Sequence, residues 1–386
     1  MNRDVVIVGG GVMGAATACF LARDHGIAAT VMERDTSYAR ASSSLSASSI
    51  RQQFSQPVNI ALSQASLAFL RRVGDELAVD GEAPHIGLTE PGYLYLASEA
   101  GAPLLRSNQQ VQQTAGADTR LLDPAALRQQ WPWLAVQDLA LGSWGASGEG
   151  WFDGPALHQA FRRKAIARGA RFLAAEAVQL ATAGGRVTAV ATAEGRRFQA
   201  DAFVLAAGAW SAPLAAQLGC ALPVSPKKRD VFVLDCPQAL PGCPLVIDPS
   251  GVWFRPEGRG FLAGAPPRDG DPDEPPLHAI DHGLFEEHLW PVLAARVPAF
   301  EALRVRSAWA GYYEMNHFDH NGLAGPLPGY VNAYTACGFS GHGMQQAPAV
   351  GQALAALIAG TGGAVLQPLF PARIAENRPL WEANVI

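Results

Sequence analysis

This chain is poor in charge. Asp, Glu, Lys and Arg make up 16% of its 386 residues, and the formal net charge is −5. No basic tract exceeds Lys227-Lys228-Arg229 or Arg162-Arg163-Lys164, which excludes the broad positive surface that nucleic acid requires. Cysteine is equally sparse. The five, Cys19, Cys220, Cys236, Cys243 and Cys337, form no close metal-ligand or redox pair, a pattern that suits a reducing, cytoplasmic compartment. There is no long apolar run either. Residues 347–358 are too few and too rich in Ala and Gly to span a bilayer, which leaves room for peripheral association at the inner face of a membrane. Arg3 and Asp4 lead straight into a strand that the fold needs, so no signal peptide is expected. What the chain does have is length and apolar content: 386 residues, 49% of them hydrophobic, exceed one ordinary core and fit two domains.

The N-terminus carries the most information. The strand Val5-Val6-Ile7-Val8 runs into Gly9, Gly11 and Gly14, an apolar helix over 15–21 follows, and a second apolar run over 28–32 ends at Glu33, nineteen residues after Gly14. Each part has one task in a nucleotide-binding βαβ unit. Gly9 permits the tight turn, Gly11 lets backbone approach a pyrophosphate, and Gly14 lets helix and strand pack closely. The free N–H groups at the helix start receive the pyrophosphate, and Glu33 stands where a carboxylate accepts from a ribose diol. The serine-rich run Ser42-Ser43-Ser44-Leu45-Ser46-Ala47-Ser48-Ser49 cannot build a core. It is either a solvated loop or, after such a fingerprint, a polar wrap around an extended ligand. The chain later returns to small residues at Ala206-Ala207-Gly208 and Gly338-Phe339-Ser340-Gly341-His342-Gly343. One fingerprint with two later returns suits FAD better than NAD.

Between these segments the pattern predicts a helix over 59–73 with Ile60, Leu67 and Leu70 inward, a strand over 88–97, and helices over 123–130 and 153–169 with Pro124 and Pro155 in their first turns. Short strands follow over 170–174, 186–192, 198–200 and 202–211, then 231–234, 251–255 and 260–264. Residues 266–276 read as a turn-rich connection, 281–297 as a helix, 330–336 as a strand and 346–359 as a helix that tolerates Pro348 early. Trp131, Trp133, Trp144 and Trp151 fall within twenty-one positions and are read mostly as core. His317, Asp319 and His320 look superficially like a metal cluster, but Asn321-Gly322 marks a turn and no complete ligand pattern is present; no metal is expected.

The fingerprint together with Gly338-Phe339-Ser340-Gly341-His342-Gly343-Met344 resembles the FAD-dependent amine-oxidising family that includes sarcosine oxidase, glycine oxidase and D-amino-acid oxidase. Tyr38-Ala39-Arg40-Ala41-Ser42, Gln52-Gln53-Phe54-Ser55, Gly150-Trp151-Phe152-Asp153 and Ser307-Ala308-Trp309-Ala310-Gly311-Tyr312-Tyr313 are similar to a family member that serves as a mitochondrial respiratory complex I assembly factor. The likeness runs from near residue 5 to near residue 350, almost the whole chain.

The resemblance implies an α/β plus α+β fold: a Rossmann-like FAD-binding domain over 1–87, 150–222 and 323–386, interleaved with a sheet-containing substrate domain over 88–149 and 223–322. It places Gly9, Gly11 and Gly14 at the ADP part of FAD, Glu33 with its neighbour Arg34 at the adenosine ribose, and Ser42 and Ser43 beside the pyrophosphate. Val178 falls near adenine, Ala207 and Gly208 in the nucleotide passage, and Gly311, Gly338, Gly341, His342, Gly343 and Met344 toward the flavin and ribityl chain. The implied reaction is oxidation of the C–N bond of an N-substituted, cyclic or D-amino acid by hydride transfer to flavin. Arg51 matches a carboxylate-binding arginine, and Tyr312, Tyr313, His342 and Gln345 complete the active-site candidates; only one of the two adjacent tyrosines is expected to face the cavity.

Three departures matter. Gly311 stands where sarcosine oxidase has its flavin-linked cysteine, and residues 42–51 contain no histidine, so FAD is expected to be non-covalent. Gln345 replaces a second carboxylate-binding cation. Leu262 falls where the family keeps a lysine that promotes reaction with oxygen, although Lys228 is a cation that could fold toward the ring instead. A dehydrogenase passing electrons to a quinone or respiratory-chain acceptor is therefore expected over a fast oxidase. The alternative is an FAD-stabilised assembly or interaction protein of the respiratory chain with little turnover.

Overall fold

The computed structural model describes residues 3–266 and 271–383. The fingerprint strand Val5–Val8 lies inside a six-stranded sheet whose order is Leu323–Pro326, Ala333–Cys337, Ala202–Leu205, Val5–Val8, Thr30–Glu33, Arg171–Ala174. All pairings are parallel except that of Leu323–Pro326. The strands read as unbroken apolar runs because both faces are covered. On one face helix Val12–His25 packs against Gly343–Ala359 and Gly154–Ala167. Strand order reverses at Val5–Val8, between Thr30–Glu33 and Ala202–Leu205, which is where open α/β sheets bind ligands, outside the carboxyl ends of the strands. Between Arg171–Ala174 and Ala202–Leu205 the chain makes a separate antiparallel sheet from Ala177–Ala183, Arg186–Thr192 and Arg197–Gln199.

An eight-stranded sheet forms the second layer, in the order Arg304–Asn316, Val224–Asp235, Gly260–Gly264, Trp253–Glu257, Leu245–Ile247, Tyr93–Ala97, Leu141–Gly145, Thr119–Leu122. Alternation divides its side chains. Leu94, Phe232, Leu234, Val246, Phe254 and Ala263 enter one apolar cluster with Phe285, Leu289 and Phe300. Tyr93, Tyr95, Leu245, Ile247, Val231, Trp253 and Leu262 form another on the opposite face. That second face is the one turned to the cavities described below. This is an α/β doubly wound, mostly parallel sheet joined to a second, sheet-rich domain.

Several elements differ in extent from expectation. The strand expected over 88–97 starts only at Tyr93, because Pro91 has no N–H and Gly92 takes φ +101°. The segment 202–211 is strand only to Leu205; a short 3-10 turn, Gly208–Trp210, follows. Residues 281–297 split into His282–Leu284, a π-turn over Phe285–Leu289 and Trp290–Arg296, next to Pro291, which cannot donate into an α-helical ladder. The strand expected over 330–336 begins at Ala333, since Asn332 braces the preceding turn by bonding Val187 and Asp201. The strands Ala177–Ala183 and Leu323–Pro326 were not anticipated. Residues 267–270 of the expected turn-rich connection lie outside the described residues. No helix among the described residues is long and apolar enough to cross a membrane.

Candidate active site

Two adjoining cavities lie between the sheets. The larger, of about 410 Å³, runs from the fingerprint to the eight-stranded sheet. Its nucleotide side is lined by Gly9, Gly11, Glu33, Arg34, Ser42, Ser43, Val178, Ala207 and Gly208, all anticipated from sequence. Local chemistry explains the shape. Gly9 has φ +101°, and a Cβ there would sit 2.3 Å from the Ala206 carbonyl oxygen. A Cβ on Gly11 would lie 3.1 Å from Ser43 Oγ, which itself accepts from Val12 N at 2.8 Å. The Glu33 carboxylate accepts from Gly10 N at 2.8 Å and Asp35 N at 2.9 Å, which fixes it at the cavity wall. Arg34 stacks 4.2 Å over Trp210, whose ring meets Tyr312 edge-on. Val178 sits where the ladder register slips, and its carbonyl accepts from Gln217 Nε2.

Two glycines that the resemblance places at the cofactor are not on a cavity wall, and Gly14 keeps the packing task read from the fingerprint. Gly14 does not line the cavity; a Cβ there would lie 1.9 Å from the Gly9 carbonyl oxygen, so it serves helix–strand contact alone. Gly338, with φ +69°, is a turn residue packed against Val224 and is not part of either cavity wall. The others in that motif are placed as expected: Gly341, Gly343 and Met344 line the larger cavity, together with Gly311, whose Cβ would meet Leu45 Cβ at 2.9 Å.

The smaller cavity, of about 60 Å³, gathers Arg51, His342, Gln345 and Tyr313 with Tyr93, Arg255 and Ser46, Ser48, Ser49 and Ser340. Ala47, Trp253, Tyr313, Gly341 and Met344 line both spaces. Arg51 Nη1 donates to Gln53 O at 2.7 Å and Tyr95 Oη at 2.5 Å, and Nη2 lies 3.1 Å from His342 Nε2. Gln345 Oε1 accepts from Arg51 N at 2.9 Å. His342 packs edge-on to Phe54. Burial, and then the Arg51 charge, hold its imidazole well below the usual histidine range, so it is neutral. Burial likewise pushes the Tyr93 phenol up to about 12 and raises that of Tyr313.

Tyr312 and Tyr313 correct one expectation. They do point to opposite faces, Tyr312 to Trp210 and the Pro275 carbonyl, Tyr313 to Gly341 and Arg229. Yet both border the larger cavity, because that space is long enough to reach either side of their strand. Leu262 is buried within the apolar cluster and lines neither cavity. Lys228 turns instead to the Ala279 carbonyl and Asp230. The apparent His317–Asp319–His320 cluster dissolves: Asp319 binds Arg373, and His317 meets Ser225. None of the four clustered tryptophans lines either of these two cavities, and Trp131 is buried against Trp144.

Sequence reasoning missed Arg229, Arg255, Trp253, Tyr93 and two buried carboxyls. Arg255 is buried, pairs with Glu257, donates Nη2 to the Ala47 carbonyl and stacks over Trp151. It is the ladder partner of Leu262. Desolvation lowers the pKa of Arg229 and Arg255. Glu149 accepts from Gln52 N, Gln53 N and Gln53 Nε2, and burial raises it to about 7. Glu314, on the wall of the larger cavity, is raised to about 7 in the same way. The available signal was a charge at an inward-alternating position of an apolar strand, as in Trp253-Phe254-Arg255.

A glycine-lined cleft at the switch point of a parallel sheet, closed by a second sheet bearing buried arginines and tyrosines, defines a dinucleotide-dependent oxidoreductase. The chain belongs to the FAD dependent oxidoreductase (DAO) family, whose pattern it matches over residues 4–357. It is 41% identical to FAD-dependent oxidoreductase domain-containing protein 1 of Xenopus laevis, over 100% of this chain and 85% of that protein. The crystal structure of glycine oxidase from Geobacillus kaustophilus superposes with TM-score 0.81 at 26% identity, covering 96% of this chain and 99% of that one. L-proline dehydrogenase from P. horikoshii shares the fold, with TM-score 0.85 at 24% identity over 98% and 99%. The cofactor is FAD, and the cleft fits it: Gly9, Gly11 and Gly208 leave room that side chains would fill. It is held non-covalently, consistent with glycine at 311 and with no cysteine on either cavity wall among the described residues. The enzyme acts in the manner of its family, on amine or amino-acid substrates.

Proposed function

We propose that the protein oxidises the C–N bond of an N-substituted, cyclic or D-amino acid and works as a dehydrogenase. The carrying observation is the pair of buried guanidinium groups, Arg51 and Arg255, in a small cavity that opens onto the FAD cleft and has no carboxylate among its described lining residues. Such a pocket favours an anionic group. Bound FAD supplies the two-electron acceptor for the α-hydride. The chain's own part is orientation and dryness. Arg51 is held by Gln53, Tyr95 and Gln345, so the substrate carboxylate meets a guanidinium fixed in advance. Neutral His342 adds no charge that would repel or protonate an amine bound in its neutral form. Tyr313 and Trp253 supply apolar walls that exclude water.

The dehydrogenase preference rests on Leu262, an apolar side chain at the position where the family resemblance expects an oxygen-activating cation. Anaerobic mixing with sarcosine, other N-methyl amino acids, proline and D-amino acids tests the reaction: at least one should bleach the flavin, and Arg51→Gln should slow that bleaching. A full panel without bleaching overturns it. A second reading, an assembly or interaction protein of the respiratory chain, is favoured by exposed Trp381, Trp290 and Val331. Stable co-purification with respiratory-chain components, without substrate-driven reduction, would select it.

A further inference from the structure

We infer that Arg229 forms an anion site for a second acidic group on the amine substrate, so that the substrate class is a dicarboxylic amine or amino acid. The inference rests on the amino-acid reading above and adds a second point of attachment to it. Arg229 is 7% exposed and lines the larger cavity. Its Nη1 donates to the Lys228 carbonyl at 2.7 Å. Its Nε and Nη2 are buried and have no hydrogen-bond partner. The adjacent acid also lines the larger cavity but is engaged elsewhere: Asp230 takes Lys228 Nζ at 3.4 Å and Asp281 N at 3.2 Å. Asp271 lies near enough for Arg229 to feel its charge but makes no hydrogen bond to Nε or Nη2, and a buried guanidinium edge left without hydrogen bonds is costly unless a ligand supplies them.

The geometry also says what kind of ligand. The unsatisfied atoms are Nε and Nη2, the edge that forks around both oxygens of a carboxylate. The guanidinium carbon lies 4.8 Å from the Tyr313 ring centroid, and a cation held over an aromatic face has its plane fixed. Tyr313 is also a wall of the smaller cavity that contains Arg51 and Arg255. Tyr313 therefore borders both anion positions. A single small molecule with its amine between two acids can reach both. Arg51 differs, because Gln53, Tyr95 and His342 already engage its terminal nitrogens.

The holoprotein can be tested with acids that carry no amine and cannot turn over. Acetate, propionate, succinate and glutarate are titrated, and binding is read from perturbation of the flavin absorption band. One of the two diacids should bind about tenfold or more tightly than the monoacids, the gain expected for a second charge-assisted bidentate contact. Arg229→Gln should erase that ratio while leaving FAD content and monoacid affinity unchanged, and Arg229→Lys should restore part of it. Equal affinities for mono- and diacids in the unmodified protein overturn the proposal without any variant. Equal weakening of both classes by Arg229→Gln also overturns it. Loss of FAD, or a shifted flavin potential with an unchanged ratio, would assign the guanidinium to the cofactor instead. If no amine reduces the flavin while the diacid ratio holds, the reaction proposed above fails and the anion site stands.

Discussion

Glu149→Gln should make the protein more stable at alkaline pH and flatten its stability profile. Glu149 is fully buried beside the segment that carries Arg51, and desolvation raises its carboxyl from an ordinary value near 4.5 to about 7. The sign follows from linkage. The folded state holds this proton more tightly than the unfolded state, so stability falls as pH rises from about 4.5 through about 7. A displacement of this size corresponds to roughly 3 kcal/mol above pH 7, at about 1.4 kcal/mol per pKa unit. Glutamine keeps the carbonyl oxygen that accepts from Gln52 N and Gln53 N. Its amide faces Gln53 Nε2, so the Gln53 amide must turn over, and Ser143, which now donates to it, must rotate. That rearrangement costs one hydrogen bond, about 1 kcal/mol. The net expectation is a variant slightly weaker at pH 5 and about 2 kcal/mol stronger at pH 9. Chemical denaturation of the holoprotein across this range, followed by flavin release and tryptophan emission, measures the difference. Parallel profiles for variant and unmodified protein would refute the reasoning, since they would mean Glu149 is ionised without penalty.

Other expectations are simpler. Gly14→Ala forces a Cβ to within 1.9 Å of the Gly9 carbonyl oxygen; helix and strand must separate, at a cost of about 1–3 kcal/mol, and FAD content per chain should drop. Acid precipitation should leave all flavin in the supernatant, and a chain mass increased by FAD would contradict non-covalent binding. After dithionite reduction, oxygen should reoxidise the flavin slowly and a quinone analogue or dye quickly; rapid oxygen reaction would refute the dehydrogenase preference drawn from Leu262.

The nucleotide half was legible because its signals are local. Glycine placement, an apolar strand and one acid at fixed spacing each report a backbone requirement within a few residues, and Gly9, Gly11, Glu33, Ser42 and Ser43 all stand on the cavity wall. The substrate half was legible only in part. Arg51 and Gln345 are 294 positions apart yet share a hydrogen bond; the family motifs pointed to both, but not to their contact. Arg229 and Arg255 meet the cavities through strand alternation and long-range ladders. Alternation with apolar neighbours, as in Trp253-Phe254-Arg255, is the one local sign of it, and it does not say which cavity the charge meets. Gly338 was misjudged for the opposite reason: its motif is local, but the requirement is a positive φ, not cavity space.

The strands Val224–Asp235 and Arg304–Asn316 pair along nearly their whole length, and this has a consequence for how the family can diversify. Arg229, Gly311 and Tyr313 are set by one register on that ribbon. A loop may gain or lose residues freely, but a ribbon may not. Arg306 is already an extra, bulged residue in this ribbon, but deleting one residue between Ser307 and Gly311, past that bulge, would exchange the faces of Tyr312 and Tyr313, and would drive a side chain toward Leu45 where only glycine fits. New specificities in this lineage therefore have to arise by substitution in place along the ribbon, while insertions are confined to its ends and to the bulge at Arg306.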